Sequence, residues 1–337
     1  MELFKKLFIA ALIVLLILFF AWAVFAPKKD MNREMAKTLQ EQKGRLDLYF
    51  KGVTFQETQG GKKYWEIKAK TSSINKSTGI ASIEEANGTF FREGKPVLKF
   101  ISPSVRWDME RKEIILQNPI GYDLKAEPRI ASLIKQAKNI STFILPARAQ
   151  NRNEGFFFKA RELSWKLSTE KIICVGGIYL KKGELAGMAE KLESDVGLEK
   201  VNIFGSPCVI NLINLSLTSL EAKTFLVDSL NDVITASGGI KLTADGFELT
   251  ADQLEYRQRE DTLFFRPMVE INYLGTRAES KVASFNIKKN EIAMTDNAKL
   301  TRGGSQLTGD RVMVSLKHKT FKVVGKTRIV IPDEEIK

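Results

Sequence analysis

Apolar and polar residues alternate with a period of two along most of the chain beyond Leu46, the pattern of strands whose successive side chains point to opposite faces of a sheet. LDLYFKGVTF (46–55), KKYWEIKAK (62–70), PVLKFIS (96–102) and EIILQNPIGY (113–122) carry it in the first part. Further on, ADQLEYRQREDTLFFRPMVEI (251–271) and GDRVMVSLKHKTFKVVGKTRI (309–329) say nearly the same thing twice. Leu254 falls on Val312, Tyr256 on Val314, Leu263 on Phe321, Phe265 on Val323 and Ile271 on Ile329. Each copy is an alternation, a polar turn and a second alternation ending at Pro267 or Gly325, which predicts a β-hairpin. One hairpin is only marginally stable in water, so a repeated one predicts stacking.

A small residue opens an alternating segment at Ala160, Ala189, Ala222, Ala251, Ala278 and Gly309. That spacing of about 30 residues fits two strands with their turns per unit. Between the two regions EPRIASLIKQAKNISTF breaks the alternation: Ile130, Leu133, Ile134 and Ala137 have helical spacing after Pro128, a suitable first-turn proline. The expected organisation is a β domain over 45–124, a linker with a short helix over 125–155, β repeats over 156–331 and a tail over 332–337.

The amino terminus follows a different rule. Leu7 to Ala26 contains no charged side chain, and a helix of about twenty residues rises about 30 Å, enough to span a bilayer core. The run reads as a membrane span or a signal peptide, and Ala21-Trp22-Ala23 fits a small-x-small cleavage pattern. But it is longer than a secretory signal core and Pro27 blocks cleavage after Ala26, so an uncleaved transmembrane helix is expected over 7–26 behind a cytoplasmic 1–6. Lys5 and Lys6 precede the span, while Lys28, Lys29, Arg33 and Lys37 follow it. That balance alone would put the large domain in the cytoplasm, but the rule weakens for long translocated domains. Over 27–44, Asp30 can cap a short stalk helix with Met31, Met35 and Leu39 on one stripe before Gly44, or the segment is a plain spacer.

Composition narrows the chemistry. With 337 residues and 44% hydrophobic content the chain can bury a large core, and its net charge of +12 is scattered through the alternating segments as on a solvated sheet face. No block of basic residues points to nucleic acid. The one histidine, His318, sits between lysines at an expected turn. Gly325-Lys326-Thr327 resembles the end of a phosphate loop, but Thr320 stands where the first glycine is required. No Cys/His cluster has metal-ligand spacing, so neither cofactor nor catalysis is expected. Cys174 and Cys208 read either as a disulfide or as small buried apolar residues.

GVTFQETQGGKKYWEIKAKTSSINKSTGIASIEEANGTFF, with its Trp65-x-Ile67-x-Ala69 segment behind a single anchor, resembles the periplasmic domain of LptC proteins. From Ala160 onward the units are similar to OstA or LptA relatives, soluble bridge proteins of lipopolysaccharide export. The chain would be an extended LptC. The resemblance implies an open β-jelly-roll of stacked antiparallel hairpins, all-β behind one membrane helix, and an inner-membrane location with the main domain periplasmic. It implies three partners: lipopolysaccharide, an inner-membrane ABC-type transporter, and a periplasmic bridge protein joined by β-strand addition. The expected lipid groove is the inward row Trp65, Ile67, Leu98, Phe100, Trp107, Leu254, Tyr256, Phe265, Phe321 and Val323, and the expected docking edge is Thr327, Ile329 and Ile331. Lys62, Lys63, Lys68 and Lys70 are candidate rim charges for lipid phosphates. The alternative is an envelope scaffold or adhesion protein with the same row as a closed core and no lipid path.

Overall fold

The computed structural model describes residues 48–126, 155–182, 185–212, 218–244 and 246–331. The expected anchor, the stalk, nearly all of the linker and the tail lie outside them. Among the described residues the structure is all β, in one 22-stranded sheet whose pairings are all antiparallel.

Four long strands begin it: β1 (Leu48–Gln59), β2 (Lys62–Asn75), β3 (Ile80–Arg92) and β4 (Lys95–Asp108). Half-length strands follow, β5 (Glu113–Gln117) and β6 (Ile120–Asp123), then β7 (Phe156–Lys159) and β8 (Glu162–Lys166). Long strands resume with β9 (Lys171–Lys182), β10 (Leu185–Asp195), β11 (Lys200–Leu212), β12 (Thr218–Asp228), β13 (Val233–Ala244) and β14 (Phe247–Arg257). A second half-length set is β15 (Thr262–Arg266), β16 (Val269–Tyr273), β17 (Thr276–Ser280) and β18 (Val282–Asn286). The chain closes with β19 (Glu291–Arg302), β20 (Ser305–Ser315), β21 (Thr320–Val324) and β22 (Arg328–Val330). The repeat read from the sequence is real in the ladder: Leu254 pairs with Phe265 as Val312 pairs with Val323, and Leu249 with Ile271 as Leu307 with Ile329.

A line of irregularities crosses the sheet at mid-strand. Register shifts fall between Ala189 and Lys191, Glu221 and Thr224, Ser237 and Ile240, and Thr295 and Ala298. Left-handed backbone collects on the same line, at Gly52, Glu85, Asn118, Gly176, Gly238, Met268, Asp296 and Gly325. The half-length strands are long strands broken there, β5 and β6 both pairing with β4. A bulge adds one residue and sharpens the local bend, so the sheet folds along this line into two arms.

The small-residue landmark belongs to this bend. Ala189, Ala222, Ala251 and Ala278 lie inside strands and are buried at the crease, as is Ala160 between β7 and β8, so the landmark marks a corner and not a strand opening. At the corner a small residue stands opposite a large buried one, as Ala189 pairs with Ile178 and Ala251 with Ile240. At Gly309 even a Cβ would collide with Val323.

The core lies between the arms. Call upper the halves that end at turns such as Gln59–Lys62 and Arg92–Lys95, and lower those that end at Asn75–Ile80 or Asp108–Glu113. Across the gap Trp65 of the upper arm meets Trp107 of the lower at 4.9 Å, Phe90 meets Trp165 at 5.4 Å, and Phe247 meets Phe285 at 6.4 Å between ring centroids. Each such pair joins an upper half to a lower half further along the ladder. The β5–β8 and β6–β7 pairings carry the sheet without interruption from the first strands to the repeats. Asp123 ties the end of the first strands to the start of β7, accepting from the backbone N–H of Ala126 and of Phe156, both at 2.9 Å.

Candidate functional site

Alternation puts one row of every strand between the arms, and the bulge restores that row beyond the bend: in β12 Leu220 and Ala222 face inward, then Phe225 and Val227. The result is one continuous apolar cluster running from β1 to β20. Of the expected groove row, Trp65, Ile67, Leu98, Phe100, Trp107, Leu254 and Phe265 are fully buried in it, while Tyr256, Phe321 and Val323 are half-buried against it. They share one interior but are spread along its length: Trp65 and Trp107 touch near one end, and Phe321 lies 6.0 Å from Tyr273 near the other.

Sequence reasoning missed several of the largest lining residues, Phe90, Phe158, Trp165, Phe225, Phe247 and Phe285. Trp165 matters chemically, because its Nε1 is buried with no hydrogen-bond partner. The cysteine alternatives resolve as free, buried thiols. Burial pushes the Cys208 thiol up to about 12 and Cys174 higher still.

The tips of the two arms meet in a seam opposite the crease, and polar side chains bridge it. Lys112 of a lower turn lies 3.4 Å from Glu57 of β1. Arg92, at the end of an upper half, reaches the turn between β10 and β11: its guanidinium lies 2.6 Å from Glu199 and 3.1 Å from Asp195. Lys182, at another upper tip, donates to Ser229 Oγ at 2.8 Å, and Ser229 Oγ donates to the Leu198 carbonyl at 3.1 Å. Burial pulls Lys182 below the usual lysine range, opposed by the nearby Asp232, Asp123 and Asp228. Towards the carboxyl end Tyr273 donates its hydroxyl to the Leu316 carbonyl at 3.4 Å.

Among the described residues, Arg92, Lys112 and Lys182 are the cations these contacts place at the seam. Lys68 and Lys70 flank the buried corner residue Ala69 and are exposed at the bend, where Lys70 pairs with Glu85 at 2.6 Å. Lys63, at an upper tip, is bonded to Glu66 at 2.6 Å.

At the two ends of the ladder, among the described residues, β1 pairs only with β2, while β21 and β22 pair only with β20. The expected docking edge is thus partly a strand. β22 spans Arg328–Val330, so Ile329 lies in it, while Thr327 and Ile331 flank it; all three are exposed, Ile329 at 63%.

Fold and site together define a class: a folded antiparallel sheet of stacked hairpins that encloses a long apolar interior and ends in two unpaired edges. Residues 219–320, from β12 into β21, match the family model described as LptA/(LptD N-terminal domain) LPS transport protein. Among solved structures, the chain is similar to LptH of Pseudomonas aeruginosa, the LptA-homologous periplasmic component of a lipopolysaccharide transport device, at 14% identity. That likeness covers 34% of this chain and 93% of the other, with a TM-score of 0.31. Among curated proteins none matches.

Proposed function

We propose that the chain is a membrane-anchored periplasmic carrier, which accepts lipopolysaccharide from an inner-membrane ABC-type transporter and passes it between the arms toward the outer membrane. The observation that carries this reading is the uninterrupted apolar interior leading to unpaired strand edges at both ends, and the family match over 219–320 supports it. Each CH₂ removed from water is worth about 0.8 kcal/mol, so an acyl chain crosses an aqueous space only inside a continuous lining. A repeated hairpin supplies similar lining at each step. The unpaired N–H and C=O groups of β1 and β22 suit strand addition by a neighbouring bridge protein. The 7–26 helix would hold the chain in the inner membrane, and the chain itself performs no catalysis and binds no nucleic acid.

Closed packing favours a second reading. Side chains such as Ile67, Phe90 and Leu163 are wholly buried between arms that touch, as in a scaffold with no lipid path. Mixing the purified full chain with lipopolysaccharide vesicles and re-isolating it separates the two. A carrier emerges with lipopolysaccharide in stoichiometric amount, and a scaffold emerges with none.

A further inference from the structure

The turn between β10 and β11 is unlike the other lower turns. At three of those the last strand residue caps the N–H groups two and three residues on, Asn75 Oδ1 accepting from Ser77 and Thr78, Asp108 Oδ1 from Glu110 and Arg111, and Asp228 Oδ1 from Leu230 and Asn231, whereas Asp195 Oδ1 accepts from Glu199 N–H, four residues on, at 2.9 Å. Left-handed backbone then falls on the residue just before the next strand, as at Gly79, Lys112, Asp232, Asn290 and Lys319. In the turn between β10 and β11 it falls one residue earlier, on Leu198. Val196 is buried in the core like Leu167, the first residue of another lower turn, but here Leu198 is buried as well, at 3% exposed. This turn plugs the seam.

Side chains fasten it on both sides. Arg92 crosses from the upper arm to Asp195 and Glu199, and Gly197 makes room for it, since a Cβ there would stand 2.7 Å from Arg92 Nη1. On its other side Ser229 donates its N–H to the Glu199 carbonyl at 2.7 Å and its hydroxyl to the Leu198 carbonyl. Two residues before Arg92, Phe90 packs on Trp165, which is 1% exposed and holds the unpartnered Nε1–H. A guanidinium paired with two carboxylates at the seam is thus two residues along β3 from a ring that packs on an unpaired buried donor.

Resting on the carrier reading above, we infer that this part of the seam is a binding site for a phosphorylated, acylated amphiphile. Arg92 exchanges Asp195 and Glu199 for a phosphate of the ligand, the 195–199 turn swings out, and acyl chains pass between the arms while Trp165 Nε1 donates to an ester or amide carbonyl. Guanidinium suits both partners, because its planar fork binds carboxylate and phosphate alike. A half-exposed ion pair is weak enough to be displaced.

The test uses the full chain in nanodiscs with Leu198→Cys as reporter, its maleimide labelling rate reading the opening of the turn. Arg92→Ala is expected to raise that rate roughly fivefold, the effect of losing a pair worth about 1 kcal/mol, while Arg92→Lys, which keeps the charge but not the fork, falls between that and the parent. Phosphorylated lipopolysaccharide is expected to raise the rate in the Arg92 chain, and the same lipopolysaccharide stripped of phosphate is not. Trp165→Phe, in the chain without the reporter, is expected to weaken lipid retention while thermal unfolding shows it folded. An unchanged rate in Arg92→Ala, or equal effects of the two lipids, overturns the inference and leaves the carrier reading standing. If no variant binds either lipid by photocrosslinking, the carrier reading falls and this site falls with it.

Discussion

Phe100 and Phe158 each lie over a glycine of the paired strand, Gly88 and Gly121, where a Cβ would collide with the ring. A ring over a cross-strand glycine covers backbone that has no side chain of its own. Neither ring can move aside cheaply, since Phe100 packs on Phe90 at 5.0 Å and Phe158 on Phe156 at 6.2 Å. Gly88→Ala and Gly121→Ala should therefore each destabilise by about 1–3 kcal/mol, read as a lower midpoint in urea. Gly239→Ala is a useful contrast: nothing stands within 4 Å, but its φ of +80° is costly for alanine, so a smaller loss of about 1 kcal/mol is expected. The two thiols report on closure. Cys208 is pushed up to about 12 and Cys174 is also raised, and only the thiolate reacts. At pH 8 a maleimide should label neither cysteine of the folded chain and both in denaturant; fast native labelling would mean that the arms stand open.

The strands were legible in the sequence because alternation is a local signal, and 251–271 and 309–329 were legible as hairpins for the same reason. The bend was visible only indirectly, as a phase slip between Ala222 and Phe225 and as small residues repeating at similar intervals. Read without the third dimension, a corner looks like a beginning. The seam had no local signal at all: Arg92 and Asp195 lie 103 residues apart, and Lys112 and Glu57 lie 55 apart. The turn caps could have been found, since Asn75, Asp108, Asp195, Asp228, Asn286 and Ser315 each end a strand with a short side-chain acceptor. At the carboxyl edge, deleting 326–337 removes β22 but leaves β20 paired with β21 from Arg311–Val324 to Ser315–Thr320. That deletion should preserve the far-ultraviolet circular dichroism of the sheet while abolishing pull-down of an LptA-type bridge protein. A folded deletion variant that still binds would assign docking elsewhere.

On the scale of the molecule, one ladder runs from β1 to β22 and folds once along its length, so each long strand, or each pair of half-length strands broken at the bend, contributes to both arms, and one apolar cluster runs between them. Away from a small second cluster of Tyr122, Ala126, Phe157, Tyr179 and Ala186, the two faces of the sheet differ sharply in what they meet. Phe100, Trp107 and Phe265 face the interior and Tyr256 packs against it, whereas Arg106 is exposed and Phe264 lies under the Arg257 guanidinium, 4.6 Å from its ring centroid. A one-residue step along a strand reverses the face. The most direct measurement is photocrosslinking of lipopolysaccharide to the full chain in cells, with a photoreactive residue placed in turn at Phe100, Trp107, Tyr256 and Phe265 and at their neighbours Lys99, Arg106, Glu255 and Phe264. The carrier account predicts strong adducts at the first set, from both ends of the ladder, and far weaker ones at the second; equal labelling of both sets, or of neither, would contradict it.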